Sequence, residues 1–136
     1  MIAIVEQSTG QAIFNDIEKA SVTTGNISSP ELDEALGKVA ANTAAVQRSA
    51  PLNAPPPGKP LVVVDTAVDA TGWYVLIWPY HPSLGPAVAK FDTVGKLVDR
   101  VRLRASSAAS TSFMQLEGTG TLVLASTAGD VLFYTR

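Results

Sequence analysis

Apolar residues recur in short runs along the second half of the chain, and the spacing of these runs predicts β-strands. Seven β-prone runs follow one another at about 11-residue spacing, separated by Gly, Pro, Ser or Asp. They cover residues 61–68, 72–80, 87–92, 97–103, 112–117, 121–127 and 130–136. Short strands at regular spacing are typical of antiparallel sandwiches and barrels. We therefore predict an antiparallel β domain over residues 61–136, built as a β-sandwich or jelly-roll-like body.

Residues 1–28 predict a β-rich or extended N-terminal arm. Residues 2–5 and 12–14 are short apolar runs, and the Ser-Thr-Gly-Gln segment between them, residues 8–11, is typical of a turn. Residues 15–29 show no sustained apolar period, which predicts irregular or extended chain.

Residues 29–50 predict an α-helix with a narrow apolar seam. Its seam positions follow one another at spacings of four, three, four and three: Leu32, Leu36, Val39, Thr43 and Val46. Ser29 before Pro30 is the expected N-cap, and Pro51 ends the helix. A seam this narrow suits the same seam on neighbouring copies, so we expect it to form an oligomer interface. The alternative is an amphipathic helix packed on its own domain.

A proline-rich linker separates the helix from the β domain. Residues 51–60 contain five prolines, which predicts a largely polyproline II spacer. The fold predicted for the whole chain is thus mainly β, with an arm, one helix, a linker and an antiparallel body.

An internal repeat within the β domain gives a second interpretation of its architecture. Residues 68–72 and 75–76 match residues 116–120 and 123–124, with an acidic-x-Thr-Gly turn in each copy. Such copies resemble two blades of a β-propeller, which three chains would complete to six blades. The first copy has a fourth strand at residues 97–103, whereas the second stops after three, and residues 2–5 are a candidate for its fourth strand.

The run at residues 72–80 is apolar on both faces, which is unusual for an exposed sheet. Trp73, Val75 and Ile77 alternate with Tyr74, Leu76, Trp78 and Tyr80. This pattern predicts a central strand covered on both sides, or a strand with one face against another chain. Aromatic side chains near its end can also stack on a sugar ring, which makes Trp73, Trp78, Tyr80 and His81 candidates for glycan binding.

Composition favours contacts with other protein chains. Only 16% of residues are charged, against roughly 25% in typical soluble proteins, while 46% are hydrophobic. The net charge of −2 gives no argument for binding nucleic acid or an anionic membrane. The N-terminus lacks the pattern of a signal peptide, and no apolar run approaches the roughly 20 residues of a membrane span. We therefore expect a soluble protein without nucleic acid or membrane partners.

Residues that carry chemistry are few, and we expect no enzyme activity, cofactor or metal. Cysteine is absent, and a single histidine, His81, leaves only carboxylates to complete a zinc site. No serine lies in a nucleophile-elbow motif. Asp65, Asp69 and Asp92 fall at strand ends, where turn capping is expected rather than calcium binding.

Three arginines alternate along the run at residues 97–104. Arg100, Arg102 and Arg104 are separated by Val101 and Leu103, which places the guanidinium groups on one strand face. Such a row can bind carboxylates on a partner, or it can be a solvated face that protects a sheet edge from aggregation.

The helix seam and the β pattern after Pro60 together resemble small structural proteins of tailed-bacteriophage virions. Trimeric capsid decoration (cement) proteins and tail-fibre modules are examples. The resemblance implies a non-enzymatic homotrimer that binds other structural proteins and stabilises a capsid or tail surface. The resemblance implies that the protein is located in the virion. If it is not a virion component, we expect it to be soluble and cytoplasmic. The other class of function that we consider is an oligomeric, lectin-like module that binds surface glycans.

Overall fold

The fold is mainly β, with antiparallel sheets and one helix, as the sequence predicts. A computed structural model of the chain describes residues 2–6, 9, 11–16, 19–58, 61–78, 84–103, 111–116, 121–126 and 131–134. These residues form a three-stranded N-terminal sheet, a helix, a four-stranded central sheet and a three-stranded outer sheet.

The N-terminal sheet has the order β1-β2-β3, and its strands are Ile2–Val5, Gln11–Asp16 and Ser21–Asn26. The hairpin of β1 and β2 confirms the two predicted strands. Residues 15–29 are predicted to be irregular or extended, and β3 takes the extended alternative as a strand that pairs along its length with β2. Its sequence is mostly polar, and Ser21 and Val22 are exposed, so pairing with β2 rather than an apolar face defines this strand.

The helix α1 spans Pro30–Ser49, which confirms the predicted helix and its N-cap. The Ser29 hydroxyl accepts a hydrogen bond from the Leu32 amide at 3.1 Å, and Pro30 occupies the first turn, where no amide donor is needed. Ala50 ends the helix in an extended conformation directly before Pro51. The helix therefore begins and ends where local sequence signals place it.

Residues 51–58 of the linker are exposed and contain no helix or strand. The Ala54 amide donates to the Pro51 carbonyl oxygen at 2.9 Å, which closes a turn at the start of the linker. This turn departs from the polyproline II spacer predicted for the segment, because a hydrogen-bonded turn reverses the chain that polyproline II would extend.

All seven strands predicted after residue 60 are confirmed, in two sheets. The central sheet has the order β4-β5-β6-β7, with strands Val63–Asp69, Gly72–Ile77, Ala87–Phe91 and Leu97–Arg102. The outer sheet consists of β8 (Thr111–Leu116), β9 (Leu122–Ser126) and β10 (Val131–Tyr134), in the order β10-β9-β8. β8 lies against β4, so the two sheets form a sandwich-like body.

The central sheet is covered on both faces, and β5 shows this best. Trp73, Val75 and Ile77 pack with Leu32 and Ala35 of α1, together with Ala12 of β2. Leu76 packs on the opposite face with Leu122 and Leu124 of β9. This arrangement confirms the predicted central strand with two apolar faces.

The alternative of propeller blades is not supported by the described residues, which form no propeller or closed barrel. Leu76 and Leu124 occupy equivalent positions of the internal repeat, yet both lie in the same apolar cluster. In a propeller, each blade packs one face against the opposite face of the next blade, so equivalent residues of two blades do not meet. Here the equivalent faces of the two sheets pack against each other. β1 pairs with β2 in the N-terminal sheet, so residues 2–5 do not complete the second copy in this chain.

Two glycines provide a matched test of this packing. A side chain at Gly72, where φ is +159°, would collide with the Phe91 carbonyl oxygen, whereas an added Cβ at Gly37 would meet nothing within 4 Å beyond its chain neighbours and the backbone of its own helix. We expect Gly72→Ala to lower the free energy of unfolding by about 2 kcal/mol or more. Gly37→Ala should raise it by about 0.5–1 kcal/mol through helix propensity. Urea unfolding followed by circular dichroism measures both, and equal effects would contradict the packing described for β5.

Candidate functional site

The candidate glycan-stacking residues do not form an exposed aromatic platform among the described residues. Trp73 is fully buried, its ring centroid lies 5.0 Å from that of Phe91, and its Nε1 donates to the Asp92 carbonyl oxygen at 2.9 Å. The prediction that Trp73 can stack on a sugar is therefore wrong. Trp78 is 37% exposed at the end of β5. Tyr80 and His81 lie outside the described residues.

Two of the three candidate arginines contact carboxylates of the same chain. Arg100 donates to Glu31 Oε1 at 2.7 Å, and Arg102 lies 4.0 Å from Glu34 Oε2. Arg102 also donates to the Gly85 carbonyl oxygen at 3.2 Å. Because Glu31 and Glu34 lie one turn apart at the start of α1, these arginines tie the helix to the edge strand β7.

This placement corrects the sequence interpretation of the arginine row. The carboxylates that it was expected to bind on a partner are present on its own helix, at least for Arg100 and Arg102. Arg104 lies outside the described residues. The Arg100 side chain is half-exposed whereas the Glu31 side chain is largely buried, and their contact orients the start of the helix on the sheet.

The helix seam is divided between the chain's own core and solvent. Leu32 is fully buried in that core, and Leu36 and Val39 pack at its margin. These three positions therefore follow the alternative of an amphipathic helix packed on its own domain. Thr43 is half-buried, whereas Val46 is 50% exposed. The oligomer interface thus stays a prediction for the second half of the seam, near Thr43 and Val46.

A polar network lies at the turn between β4 and β5. Asp69 Oδ1 accepts hydrogen bonds from the Thr71 amide and hydroxyl, both at 2.7 Å, and from the Gly72 amide at 3.0 Å. Asp69 Oδ2 accepts from the Tyr74 hydroxyl at 3.0 Å and from Lys90 Nζ at 3.4 Å. Lys90 Nζ also donates to Thr71 Oγ1 at 2.6 Å and lies 4.8 Å from the centroid of the Tyr74 ring.

The network fixes the charges of Asp69 and Lys90. Burial alone would raise the pKa of Asp69, but hydrogen bonds from Thr71 and Tyr74 and the charge of Lys90 lower that pKa to about 2. The pKa of Lys90 is raised by the Tyr74 hydroxyl against the opposing effect of burial, with a further contribution from Asp69. Both groups are therefore charged near neutral pH, where neither is suited to general acid–base catalysis.

Asp69 and Asp92 confirm the expected turn capping. Asp92 Oδ1 accepts hydrogen bonds from the Val94 and Lys96 amides at 3.0 and 2.9 Å, and Gly95 adopts a positive φ of 84° in the same turn. Asp65 Oδ1 accepts from the adjacent Thr66 amide at 2.8 Å. Across the described ranges, no group of three or more acidic or histidine side chains is arranged to hold a metal ion.

The outer sheet presents an apolar surface, partly exposed among the described residues, on the side away from the central sheet. Leu122 and Leu124 point inward, so the residues between and beside them point outward. We define the outer sheet face as Val123, Ala125, Val131 and Phe133, which cross-strand pairing brings together as Ala125–Val131 and Val123–Phe133. Val131 is 52% exposed and Phe133 is 68% exposed, and none of the four residues is charged.

Sequence reasoning did not single out the outer sheet face, although a signal was present. The run at residues 130–136 alternates Val131 and Phe133 with Leu132 and Tyr134, so both faces of the strand are apolar. The same pattern in β5 predicts a strand that is covered on both faces. In β5 both faces pack against other segments of the same chain. In β10 the outward residues are left exposed.

No family model matches the chain, and neither the curated proteins nor the solved structures contain a significant match. The one helix found in the described part of the chain is not apolar enough over a sufficient length to cross a membrane.

The low pKa of Asp69 makes its contribution to stability depend on pH. Because the folded-state pKa of about 2 is below the ordinary 3.8, ionised Asp69 stabilises the fold above about pH 4. That contribution is lost as the pH falls from 3.8 toward 2. We expect Asp69→Asn to lower the free energy of unfolding by about 2 kcal/mol at pH 7. Urea unfolding of both proteins at pH 7 and pH 2 tests this, and a difference that does not shrink at pH 2 would contradict it.

Proposed function

We propose that this chain is a non-enzymatic structural subunit of a tailed-bacteriophage virion, of the capsid decoration (cement) or tail-fibre type. In this proposal it forms a homotrimer that binds and stabilises a capsid or tail surface. The observation that carries the proposal is the outer sheet face, an uncharged apolar surface with Phe133 68% exposed.

The exposed residues of this face favour contact with protein rather than with water. Burying a side chain of the size of Val or Phe contributes roughly 1.5–3 kcal/mol relative to leaving it exposed. The outer sheet face gathers Val131 and Phe133 beside the half-buried Val123 and Ala125, so one contact covers all of them. A charged fraction of 16% supports the same conclusion for the chain as a whole.

The second half of α1 supplies another candidate contact between copies. The buried helix residues, Leu32 and Ala35, lie in its first turns, whereas Val46 is 50% exposed. Thr43 and Val46 continue the seam beyond the part that packs on the central sheet. Less than two heptads remain there, so in this proposal the helix positions the copies and the β body supplies most of the buried area.

The lectin-like alternative has weaker support. Of its four residues, Trp73 is buried and bonded within the core, and Trp78 is the one that the described residues leave partly exposed. Among the described residues, one partly exposed tryptophan does not make the aromatic platform that sugar stacking requires. A glycan array probed with the unsubstituted chain and with Trp78→Ala tests this alternative. Glycan binding would appear as a saturable signal that the variant loses.

The proposal predicts both an oligomeric state and a location. Native mass spectrometry of the purified chain should give a mass of three 14.2 kDa chains. Particles produced from the genome that carries the gene should contain the chain in a fixed ratio to the major shell or tail protein. Deleting the gene should lower the temperature at which those particles rupture. A chain that is monomeric at all concentrations and absent from purified particles would contradict the proposal.

A further inference from the structure

The two sheets that carry the internal repeat differ by one strand. In the central sheet, β7 pairs with β6 and forms the fourth strand. The repeat makes β10 the equivalent of β6, because Val88 and Phe91 correspond to Val131 and Tyr134. Across the ranges that the structure describes, no strand pairs with the outer edge of β10. Within the described ranges, the second copy of the repeat therefore has no strand at the position that β7 takes in the first.

The edge strand β10 lacks the features that usually prevent strand addition. Val131–Tyr134 contains no charged residue and no proline, whereas β7 carries Asp99, Arg100 and Arg102. Edge strands that stay unpaired are commonly protected by charges, prolines or bulges. An open, uncharged edge next to an exposed Phe133 is suited to receive another strand.

The strand that best matches this edge is β1. Ile2–Val5 and Val131–Tyr134 are both four residues long and uncharged, and each is the end strand of a three-stranded sheet. The other sheet edges fit less well. β4 carries Asp65 and Asp69, β8 already lies against β4, and β3 contains Gly25 among mostly polar residues.

A chain cannot easily pair its own β1 with its own β10. Ala12 of the N-terminal sheet lies in the cluster on the α1 side of the central sheet, together with Leu32. Leu122 and Leu124 of the outer sheet lie in the cluster on the opposite side. Because the central sheet stands between the two, β1 of a second copy is the more accessible partner.

We propose that β1 of one copy adds to the β10 edge of a neighbouring copy and forms a six-stranded sheet across the junction. The contact joins two different surfaces, so it closes into a ring when successive copies turn by one third of a circle. This inference rests on the proposed homotrimer and names the surface that holds it together. It also places Phe133 directly beside the added strand, where a charge opposes pairing.

A matched pair of lysine substitutions tests the position of the junction. Phe133 on β10 and Val98 on β7 are both exposed edge-strand residues, at 68% and 59%. We expect Phe133→Lys to raise the trimer dissociation constant at least tenfold, while Val98→Lys leaves it unchanged. Circular dichroism of both variants should match the unsubstituted chain. If Phe133→Lys leaves the trimer intact, the junction lies elsewhere and the proposed function survives. An unsubstituted chain that is monomeric contradicts both.

Disulfide cross-linking tests the identity of the added strand, because the chain has no cysteine. Chains carrying Phe133→Cys are refolded with chains carrying Ala3→Cys or Ile4→Cys, which sample both faces of β1, and are then oxidised. On a non-reducing gel we expect a disulfide-linked dimer that contains one Phe133→Cys chain and one chain with the cysteine in β1. The homotypic controls should give no such band. A strong band from Phe133→Cys alone would mean that β10 pairs with β10, and a trimer without the mixed band would likewise overturn the proposal.

Discussion

Burial of β5 on both faces is the constraint on which the rest of the structure depends. Trp73, Val75 and Ile77 on one side hold the helix and Ala12 of the N-terminal sheet, while Leu76 on the other side contacts Leu122 and Leu124 of the outer sheet. The strand is also paired along both edges, with β4 and with β6. Neither neighbouring layer could keep its apolar side chains from water without this strand.

The polar interactions of the chain orient parts that apolar packing has already brought together. Arg100 and Arg102 fix the start of α1 at the β7 edge, and Asp69 and Asp92 close the turns on either side of the central strands. Each of these contacts is local or partly exposed, so each acts on a single turn or on one edge of the sheet. Their shared effect is to define one arrangement of helix, turns and sheet.

Sequence signals with short range predicted most of the fold, and contacts between distant segments account for what they missed. Ser29, Pro30 and Pro51 specify the helix ends through neighbouring residues alone, and the seven strands of the β domain follow from alternation and turn residues. β3 was predicted only as irregular or extended chain, because its pairing with β2 defines it as a strand. The partners of Arg100 and Arg102, like the burial of Trp73, depend on segments tens of residues away, which no local pattern specifies.

Native-state hydrogen exchange in increasing urea tests the central role of β5 most directly. If β5 couples the layers on its two faces, its amides and those of β6 should exchange only through global unfolding. Their opening free energy should then equal that of the whole chain and fall with the same dependence on urea. Exchange of β5 through a smaller, local opening would contradict the account. The account would also be contradicted if β9 lost protection at a urea concentration where the amides of β5, including those of Trp73 and Val75, stay fully protected.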